Sequence, residues 1–489
     1  MTNIIPYLRT HWLGNIKNEI LAGMVVAFSL IPMSIAFSNI AGVAPEVGLY
    51  SSMILLVITA ISGARLSMIS GATGAMALVM THLVQTHGVE YLLFAGILSG
   101  ILQIVAGYLH LGSLMRFVSP SVVTGFSNAL AILLFMAQLK SLHNADATVY
   151  GLLALGILVI YGLPYLTKVV PAPLVSIVVV TATSLYFGLD VNTVADMGKL
   201  PSGLPLFHIP QVPLNWETFA IIMPYALSLT LVAILESLMT ARILDDITDS
   251  ASDKNKECKG LGVANLVAGF FGAMPGCALI GPSVMNLKLG STGRLSALFA
   301  GLFLMFLLVG LGSWVQQIPV VALTAVMIMV CIHIFDWSSL KTLHVYPKNC
   351  SFIMIVTAWV IVVTHDLSMG VFAGVLLSAL SFSRRVSRML TVESVLAENG
   401  THRTYYITGQ VFFASVDMLV QYFDFNEDLE SVTIDVSQAH LWDLFAVGGF
   451  DKIVLKFKKK NISVVVQGMN EASASLVDQL GTYAKLNTN

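Results

Sequence analysis

The chain has 489 residues, of which 56% are hydrophobic and 11% are charged, and its formal net charge is −2. Average soluble proteins carry about 25% charged residues, so this composition excludes an ordinary soluble globular protein. The near-neutral balance gives no support for nucleic acid or an acidic macromolecule as a partner.

Long runs almost without charged residues follow one another along most of the chain, and about 20 apolar residues suffice to cross a bilayer. We predict seven spans before a polar, proline-rich loop at 190–217 and seven after it. The first span is too long for a cleaved signal peptide and is read as retained. The runs are 20–45, 47–64, 66–89, 91–115, 117–139, 147–167 and 169–189, then 218–240, two within 260–287, two within 295–335, 349–365 and 367–383.

Basic residues between these runs are unevenly distributed. With a cytoplasmic N-terminus and every run crossing, sixteen of them lie inside and only Lys140 and Lys199 outside, which is the positive-inside bias of membrane proteins. The sixteen are Arg9, Lys17, Arg65, Arg116, Lys168, Arg242, Lys254, Lys256, Lys259, Lys288, Arg294, Lys341, Lys348, Arg384, Arg385 and Arg388. An odd number of spans in each half also makes homologous halves inverted, as in many transporters.

The end of the chain has a different composition, in which strand-like and helix-like runs alternate, as in a small α/β domain. Its predicted strands are 404–407 paired with 410–413, then 431–436 and 462–467, and its helices are 443–460 and one that begins at Asn470. The predicted boundaries are 1–389 for the transmembrane domain, with repeats at about 18–189 and 217–388, 390–400 for a linker and 401–489 for the tail domain.

The third span of each half contains helix-breaking residues. The first begins SMISGATGAM, with Gly71 and Gly74, and the second begins AMPGCALIGPSVMN, with Pro-Gly at 275–276 and Gly-Pro at 281–282. One such break is typical of close helix packing, which is the competing interpretation. Short, interrupted spans at matching positions of two repeats instead indicate the substrate site of a transporter.

A helix that begins inside the membrane directs unpaired N–H groups and partial positive charge at whatever precedes it. Two such helices facing each other form an anion site without any lysine or arginine. The hydroxyl groups of Ser70 and Thr73 on one side, and of Ser283 on the other, are predicted to add donors. The sequence therefore predicts an anion site between the third and tenth spans.

Glu236, in the run AILESLMT, is the only acid that we place deep within a span. Intramembrane ionisable residues are functional candidates by default. Thr240 follows one turn later on the same helix face, and a carboxylate with a hydroxyl suits Na⁺, whereas Glu236 alone can carry a proton. Either cation offsets the charge of an anion. The competing interpretation is a neutral carboxyl group hydrogen-bonded between helices.

No motif in the sequence supports catalysis or a bound cofactor. The four cysteines have no CxxC spacing and are interpreted as packing residues, and the span-end residues His82 and His333 are interpreted as interfacial. There is no phosphate-binding GxxxxGKS loop and no recognisable serine–histidine–acid set. We predict that the protein is not an enzyme and needs no cofactor besides Na⁺ or H⁺ as coupling ion.

Several segments resemble the SulP (sulfate permease) family of anion transporters. They are EILAGMVVAFSLIPMSIAF and GVAPEVGLYSS near the first span, ISGATGAMALVM at the third and NKECKGLGVANLVAGFFGAMPG before the tenth. The tail resembles the STAS domain that ends these proteins. The resemblance covers nearly the whole chain and implies a seven-plus-seven inverted repeat with core and gate domains. It also implies elevator-type alternating access, a homodimer, and a substrate such as sulfate, bicarbonate, chloride, oxalate or a dicarboxylate.

The resemblance also implies site residues. It places substrate binding at Thr73, Gly74, Ala75, Ala278, Leu279 and Ile280, the coupling ion (or bound Na⁺) at Glu236 and Thr240, and a gating break of the first span at Phe28, Pro32 and Met33.

Two features narrow the substrate. Met33 after the first-span proline, and the acid–threonine pair on the eighth span, resemble the Na⁺-coupled bicarbonate branch of the family. The tenth span has Ile280 and Pro282 where relatives carry hydroxyls and an arginine, so backbone groups are expected to bind the anion. In the tail, Phe445 stands where the STAS phosphorylation serine is expected, so phosphate regulation is not predicted there.

We therefore predict a secondary active importer of a small oxyanion, with bicarbonate and Na⁺ ahead of sulfate or a dicarboxylate with H⁺. The predicted location is a bacterial-type inner (plasma) membrane, with the N-terminus and the STAS domain in the cytoplasm. Three other classes remain: a passive anion channel, a membrane sensor that signals through the tail, and a nucleobase transporter. The last would need a second acid in ALIGPSVMN, which this segment lacks.

Overall fold

A computed structural model of the chain describes residues 12, 14–113, 118–142, 145–166, 171–197, 203–213, 215–342, 348–398 and 400–482. Four residues of the orientation argument, Arg9, Arg116, Lys168 and Lys199, lie outside the described residues. The chain divides into two compact units, residues 1–375 and 376–489.

The helices of the membrane part form two halves, each of which contains one two-residue strand. The first half consists of α1 (Ile16–Ala41), α2 (Pro45–Ser62), β1 (Ser70–Gly71), α3 (Gly74–His87), α4 (Val89–Tyr108), α5 (Pro120–Leu142), α6 (Ala147–Leu166) and α7 (Ala172–Tyr186). The second half consists of α8 (Trp216–Thr248), α9 (Lys254–Phe270), β2 (Cys277–Ala278), α10 (Ile280–Lys288), α11 (Leu295–Gln316), α12 (Val320–Ile334), the short α13 (Trp337–Thr342), α14 (Lys348–Thr364) and α15 (Leu367–Ser387).

Seven of the described helices are long and apolar enough to cross a membrane, and four more are apolar but shorter. Apart from the 6-residue α13, the remaining three are α3, α9 and α10, which flank the breaks predicted from the sequence, and with them the predicted fourteen segments are confirmed. The 14 residues of α3 and the 9 residues of α10 rise only about 21 Å and 14 Å at 1.5 Å per residue. Neither reaches across a hydrocarbon core of about 30 Å, so each begins inside the protein.

Helix packing separates the membrane part into two bundles. In the first, which we call the core bundle, α9 packs on α4 and α2, α11 packs on α1 and α2, and α8 packs on α3 and α4. In the second, the gate bundle, α12 packs on α5, α6 and α7, and α14 packs on α5. Each bundle therefore takes corresponding helices from both halves, as an inverted repeat requires.

Among the described residues two acids are buried, whereas Glu236 is half-buried. Glu19 on α1 is 2% exposed, and its carboxylate accepts hydrogen bonds from the backbone N–H groups of Thr292 and Gly293 at 2.7 Å and of Ser296 at 2.8 Å. These groups lie at the start of α11, where a carboxylate also offsets the positive end of the helix. Glu257 in the first turn of α9 is fully buried. Both acids lie in the first turns of their helices, outside the predicted spans, and accept hydrogen bonds from neighbouring segments, so Glu236 remains the acid predicted deep within a span.

The tail folds around a four-stranded sheet in the order β3-β4-β5-β6, in which the β3–β4 pair is antiparallel and the other two pairs are parallel. Its elements are β3 (Thr391–Leu396), β4 (His402–Val411), α16 (Val416–Gln421), β5 (Ser431–Leu441), α17 (Leu444–Lys458), β6 (Ser463–Gln467) and α18 (Glu471–Leu480). Asp443 and Asn470 cap α17 and α18 through their side chains.

Two details of the tail differ from the sequence prediction. Most of the predicted linker at 390–400 is strand β3. The predicted strand pair at 404–413 is instead almost entirely one continuous strand, β4, whose antiparallel partner is β3. Gly409, between the two predicted strands, lies within β4 with φ 112° and faces the backbone of Met389 and Leu390.

Replacing the buried carboxylate of Glu19 tests the cap on α11. Glu19→Gln leaves one acceptor oxygen for three backbone N–H groups, and an unpaired buried donor costs about 1–3 kcal/mol. We expect a lower Tm for the purified full-length variant in detergent, measured by thermal denaturation. Glu217→Gln, at an exposed position in the first turn of α8, is the matched control and is expected to leave the Tm unchanged. An unchanged Tm for Glu19→Gln would contradict the cap.

Candidate functional site

The two broken segments cross each other through the β1–β2 pair. Ser70 lies opposite Ala278 and Gly71 lies opposite Cys277 in an antiparallel register. The helix α3 begins three residues after β1 ends, and α10 begins two residues after β2 ends. Because antiparallel strands run in opposite directions, the two helices lead away from the pair on opposite sides, and their N-termini flank it inside the core bundle.

Glycine at 276 permits the close crossing of these segments. A Cβ atom there would overlap the carbonyl group of Gly71 and lie 2.6 Å from the Leu55 side chain. The backbone of Gly276 is fixed by the side-chain amide of Asn265, which accepts from its N–H at 2.8 Å and donates to its carbonyl at 3.0 Å. Asn265 is fully buried and also donates to Gln103 on α4 at 2.9 Å. The side chain of Asn265 therefore ties the crossing to α4 and α9.

A cavity of about 500 Å³ lies in front of this crossing. Its walls come from α1, α3, α8 and α10 of the core bundle and from α5, α7 and α12 of the gate bundle. Seven of the residues predicted from the sequence line it: Met33, Thr73, Gly74, Glu236, Ala278, Leu279 and Ile280. The structure thus brings the predicted third-span, eighth-span and tenth-span residues together, while their role in binding stays a prediction.

The other predicted site residues lie elsewhere. Ser70 and Ala75 are fully buried behind the lining. The hydroxyl of Ser283, also buried, accepts from the Ile69 N–H at 2.9 Å and so supports the crossing. Phe28 and Pro32 line a separate cavity of about 310 Å³ between α1 and α7.

Thr240 does not face the cavity. It is fully buried, and its hydroxyl donates to the backbone carbonyl of Glu236 at 2.8 Å. This i−4 bond is common for threonine inside helices. Thr240 therefore shares a helix face with Glu236, as the spacing predicts, but its hydroxyl proton is used within the helix.

The carboxylate of Glu236 is the centre of a small polar cluster. The Cys277 thiol donates to Glu236 Oε2 at 2.6 Å, and Cys277 Sγ lies 3.2 Å from Thr73 Oγ1. Thr73 also caps α3, because its hydroxyl accepts from the Met76 N–H at 3.4 Å. Cys277 itself is fully buried and lies behind Thr73 and Glu236, which both line the cavity.

Charge in this cavity is unbalanced. Among the described residues that line it, Glu236 is the one acid, and there is no lysine or arginine. His333 near the end of α12 also lines it, with Nδ1 2.8 Å from the Met329 carbonyl. Because a carbonyl only accepts, Nδ1 carries a hydrogen. Positive potential at the crossing therefore comes from the two helix N-termini.

Sequence reasoning missed Cys277 and His333. Cys277 stands within the broken segment itself, and register with β1 would have placed it beside Glu236, but that pairing connects residues far apart in sequence. His333 was interpreted as interfacial because it is near a span end. His333 nevertheless lines the cavity, because the latter part of α12 forms one of its walls.

A barrier closes the cavity on one side. Phe37 of α1 and Leu134 of α5 pack directly over Gly74, so that a Cβ there would lie 2.7 Å from Leu134 Cδ2 and 3.0 Å from Phe37 Cε1. Beyond this contact is a second cavity of about 670 Å³, lined by His82, Tyr225 and Asp366 among others. The Ser228 and Ser368 hydroxyls, 2.9 Å apart, join α8 to α15 on that same side.

Comparison with known proteins agrees with this architecture. The profile of the Sulfate permease family matches residues 16–149 and 141–357, and that of the STAS domain matches residues 393–489. The chain is 51% identical over 473 residues to "Putative sulfate transporter YbaR" of Bacillus subtilis (strain 168), covering 97% of this chain and 98% of that protein. It is 24% identical over 525 residues to "Bicarbonate transporter BicA" of a Picosynechococcus strain, covering 96% and 92%.

The fold is also that of a solved anion transporter. The murine Solute Carrier 26 family member A9, in its inward-facing state, superimposes with a TM-score of 0.83 at 17% identity, covering 98% of this chain and 89% of that one. Family profiles cover most of the chain, and the 51% relative spans nearly all of it. The protein therefore belongs to the sulfate permease family, with a C-terminal STAS domain.

Proposed function

We propose that this protein is a secondary active symporter that moves one small inorganic oxyanion, sulfate as the first candidate, together with a proton carried by Glu236. Its family consists of membrane anion transporters and not of enzymes. The observation that carries the proposal is the cavity at the β1–β2 crossing, where two helix N-termini face a single carboxyl group and no basic side chain lines the described wall.

Electrostatics explain why the anion and a cation travel together. Two helix N-termini contribute about one positive charge in total. An ionised Glu236 cancels it, and two like charges about 5 Å apart repel by on the order of 3 kcal/mol at an effective dielectric of about 20. Protonation of Glu236 removes this repulsion. The anion then binds well only when the proton is present, which is the requirement for symport.

The contacts of Glu236 favour a proton over Na⁺. A hard cation needs several oxygen ligands, and the Thr240 hydroxyl that the sequence offered as one is buried and bonded to a backbone carbonyl. The neighbours that do contact the carboxylate are the thiol of Cys277, a soft and weak ligand for Na⁺, and the single hydroxyl of Thr73. A proton requires no further ligand. H⁺ therefore moves ahead of the Na⁺ predicted from the sequence.

The relatives favour sulfate as the first substrate to test. The 51% identical relative carries the name of a sulfate transporter, whereas the bicarbonate transporter is 24% identical. Na⁺-coupled bicarbonate uptake is the second candidate, because that relative spans nearly the whole chain and Met33 lines the cavity. Backbone N–H groups at Gly74 and Gly281 recognise negative oxygen atoms of either anion.

We propose elevator-type alternating access, in which the core bundle carries the site past the gate bundle. The cavity lies at the end of the membrane part where α5 and α7 begin and α10 and α12 end. With the cytoplasmic N-terminus predicted from the basic residues, this is the cytoplasmic end, so the state is inward-facing. The likeness to an inward-facing murine transporter supports this assignment. The proposed assembly is a homodimer in a bacterial plasma membrane, with a cytoplasmic STAS domain.

Uptake into proteoliposomes tests the proposed function. We expect labelled sulfate to accumulate under an inward proton gradient, and a gradient of one pH unit supports at most about tenfold accumulation per proton. The same uptake assay with labelled bicarbonate, and with Na⁺ gradients in place of proton gradients, distinguishes Na⁺-coupled bicarbonate uptake from proton-coupled sulfate uptake. Sulfate uptake that is equal with and without a proton gradient would contradict the proposal, as would accumulation driven by Na⁺ alone.

Replacing the carboxyl group separates a symporter from a passive channel. Glu236→Gln keeps the size of the side chain and removes its titration, so we expect proton-driven accumulation to fall to the level without a gradient. Anion exchange across the same liposomes should remain, because the helix N-termini are intact. A channel would instead keep its full conductance, and a sensor would show no flux in wild type. Accumulation by Glu236→Gln at the wild-type level contradicts the role of Glu236.

Gly74 and Gly281 form a matched pair of glycines at the two helix N-termini. A methyl group at Gly74 would be 2.7 Å from Leu134 Cδ2, whereas one at Gly281 meets nothing within 4 Å. Overpacking costs about 1–3 kcal/mol, so we expect Gly74→Ala to lower sulfate uptake about fivefold or more by opposing closure of this barrier. Gly281→Ala should retain most uptake. Adding Leu134→Ala to Gly74→Ala should restore transport, and its failure to do so would contradict the barrier.

A further inference from the structure

We propose that Cys277 is the positioning residue that couples proton binding to anion binding, by passing a change in hydrogen bonding from Glu236 to Thr73. This inference deepens the proposed function and rests on it. The three side chains form a chain of contacts in which Cys277 touches Glu236 Oε2 at 2.6 Å and Thr73 Oγ1 at 3.2 Å. Cys277 is fully buried, so a solute in the cavity meets the two ends of this chain but not its middle.

The donors and acceptors can be counted. A thiol has one hydrogen, and in this structure it is directed to Glu236 Oε2. In its contact with Cys277 the Thr73 hydroxyl can then only donate to sulfur, and its other acceptor in this cluster is the carboxylate of Glu236 itself. The Thr73 oxygen meanwhile accepts from the Met76 N–H. With Glu236 charged, the Thr73 hydrogen is therefore directed away from the cavity, and the anion loses a donor at the N-terminus of α3.

Protonation of Glu236 reverses this arrangement. The carboxylate takes one proton from solution, and no proton leaves Cys277 or Thr73. A hydrogen bond to a charged acceptor is about twice as strong as one between neutral groups, so protonation weakens the bond that holds the thiol hydrogen toward Glu236. It can then turn its hydrogen to Thr73 Oγ1. The Thr73 hydrogen is released toward the cavity, where it donates to an oxygen of the anion.

The position of Cys277 makes this coupling specific. Its backbone is held opposite Gly71 by the β1–β2 pair, and the next residue, Ala278, donates its N–H to Ser237 Oγ on α8 at 3.0 Å. The thiol is thus fixed between the helix that carries the proton and the strand that leads into α3. Since all three residues belong to the core bundle, the coupling persists in both inward and outward states.

The KM for sulfate at two pH values tests the relay. When one proton binds with each anion, the apparent KM rises by up to about tenfold per pH unit on the alkaline side. In Cys277→Ala the Thr73 hydroxyl has no sulfur to bond, so we expect the ratio of KM at pH 7.5 to KM at pH 5.5 to fall by about three- to tenfold relative to wild type, the range of one hydrogen bond. The maximal rate should change less than this ratio.

Three further variants keep the test decisive. Cys277→Ser retains one donor and one acceptor and is expected to keep the wild-type ratio. Thr73→Val removes the hydroxyl that receives the change in hydrogen bonding. It should lower the ratio of KM at pH 7.5 to KM at pH 5.5, as Cys277→Ala does. Cys258→Ala is the matched control, because Cys258 is a buried cysteine, 1% exposed, outside the cavity lining. It should leave the ratio unchanged if the variant folds.

The outcomes separate the relay from the proposed function. If Cys277→Ala and Thr73→Val both keep the wild-type KM ratio and proton-driven uptake, the relay is overturned and the symport proposal still stands. A lowered KM ratio in Cys277→Ser also overturns the relay, because that variant preserves the hydrogen bonds. If wild type itself shows neither a pH-dependent KM nor proton-driven accumulation, the proposed function has failed and the relay fails with it.

Discussion

Two helix N-termini that flank the β1–β2 pair set the charge of the cavity, and most other features follow from that arrangement. The pair requires two chain segments to turn from strand to helix inside the membrane part, where unpaired backbone groups are costly. The cost is offset by a dense frame of side-chain bonds from Asn265, Ser283 and Ser237. The frame leaves the first N–H groups of α3 and α10 free to act on a solute. The proposed anion recognition therefore rests on backbone groups, because no basic side chain is in the described lining.

The same arrangement explains why the cavity contains an acid. Helix dipoles alone would hold an anion permanently, and a transporter must also release it. A carboxyl group that changes charge alters the binding energy at the moment of release, without movement of the two helices relative to each other. In the proposed elevator mechanism the core bundle moves as a rigid body, because only the positions of hydrogen atoms change inside it. The apolar contact of Phe37 and Leu134 with Gly74 lies between the bundles, where rearrangement is expected instead.

Much of the architecture could be predicted from the sequence, because the bilayer imposes regular patterns on it. Charge-free runs gave the fourteen segments, and the Gly and Pro residues around Gly74 and Gly281 marked the two short helices. Contacts between distant residues could not be predicted in this way. Glu236 and Cys277 meet only because two strands pair in one particular register. Helical spacing correctly placed Thr240 beside Glu236, but its rotamer, which spacing does not determine, turns the hydroxyl to a backbone carbonyl. The short strand β3 reads as a linker because its side chains are mostly exposed.

Locating the bound solute is the most direct measurement of the central claim. Selenate has the geometry and charge of sulfate and scatters more strongly, so a structure of the full-length protein at low pH with selenate would reveal its position. We predict density within hydrogen-bonding distance of the backbone at Gly74 and Gly281, adjacent to Thr73 and Glu236. Density confined to the cavity at His82 and Tyr225, or anywhere remote from the two helix N-termini, would contradict the account.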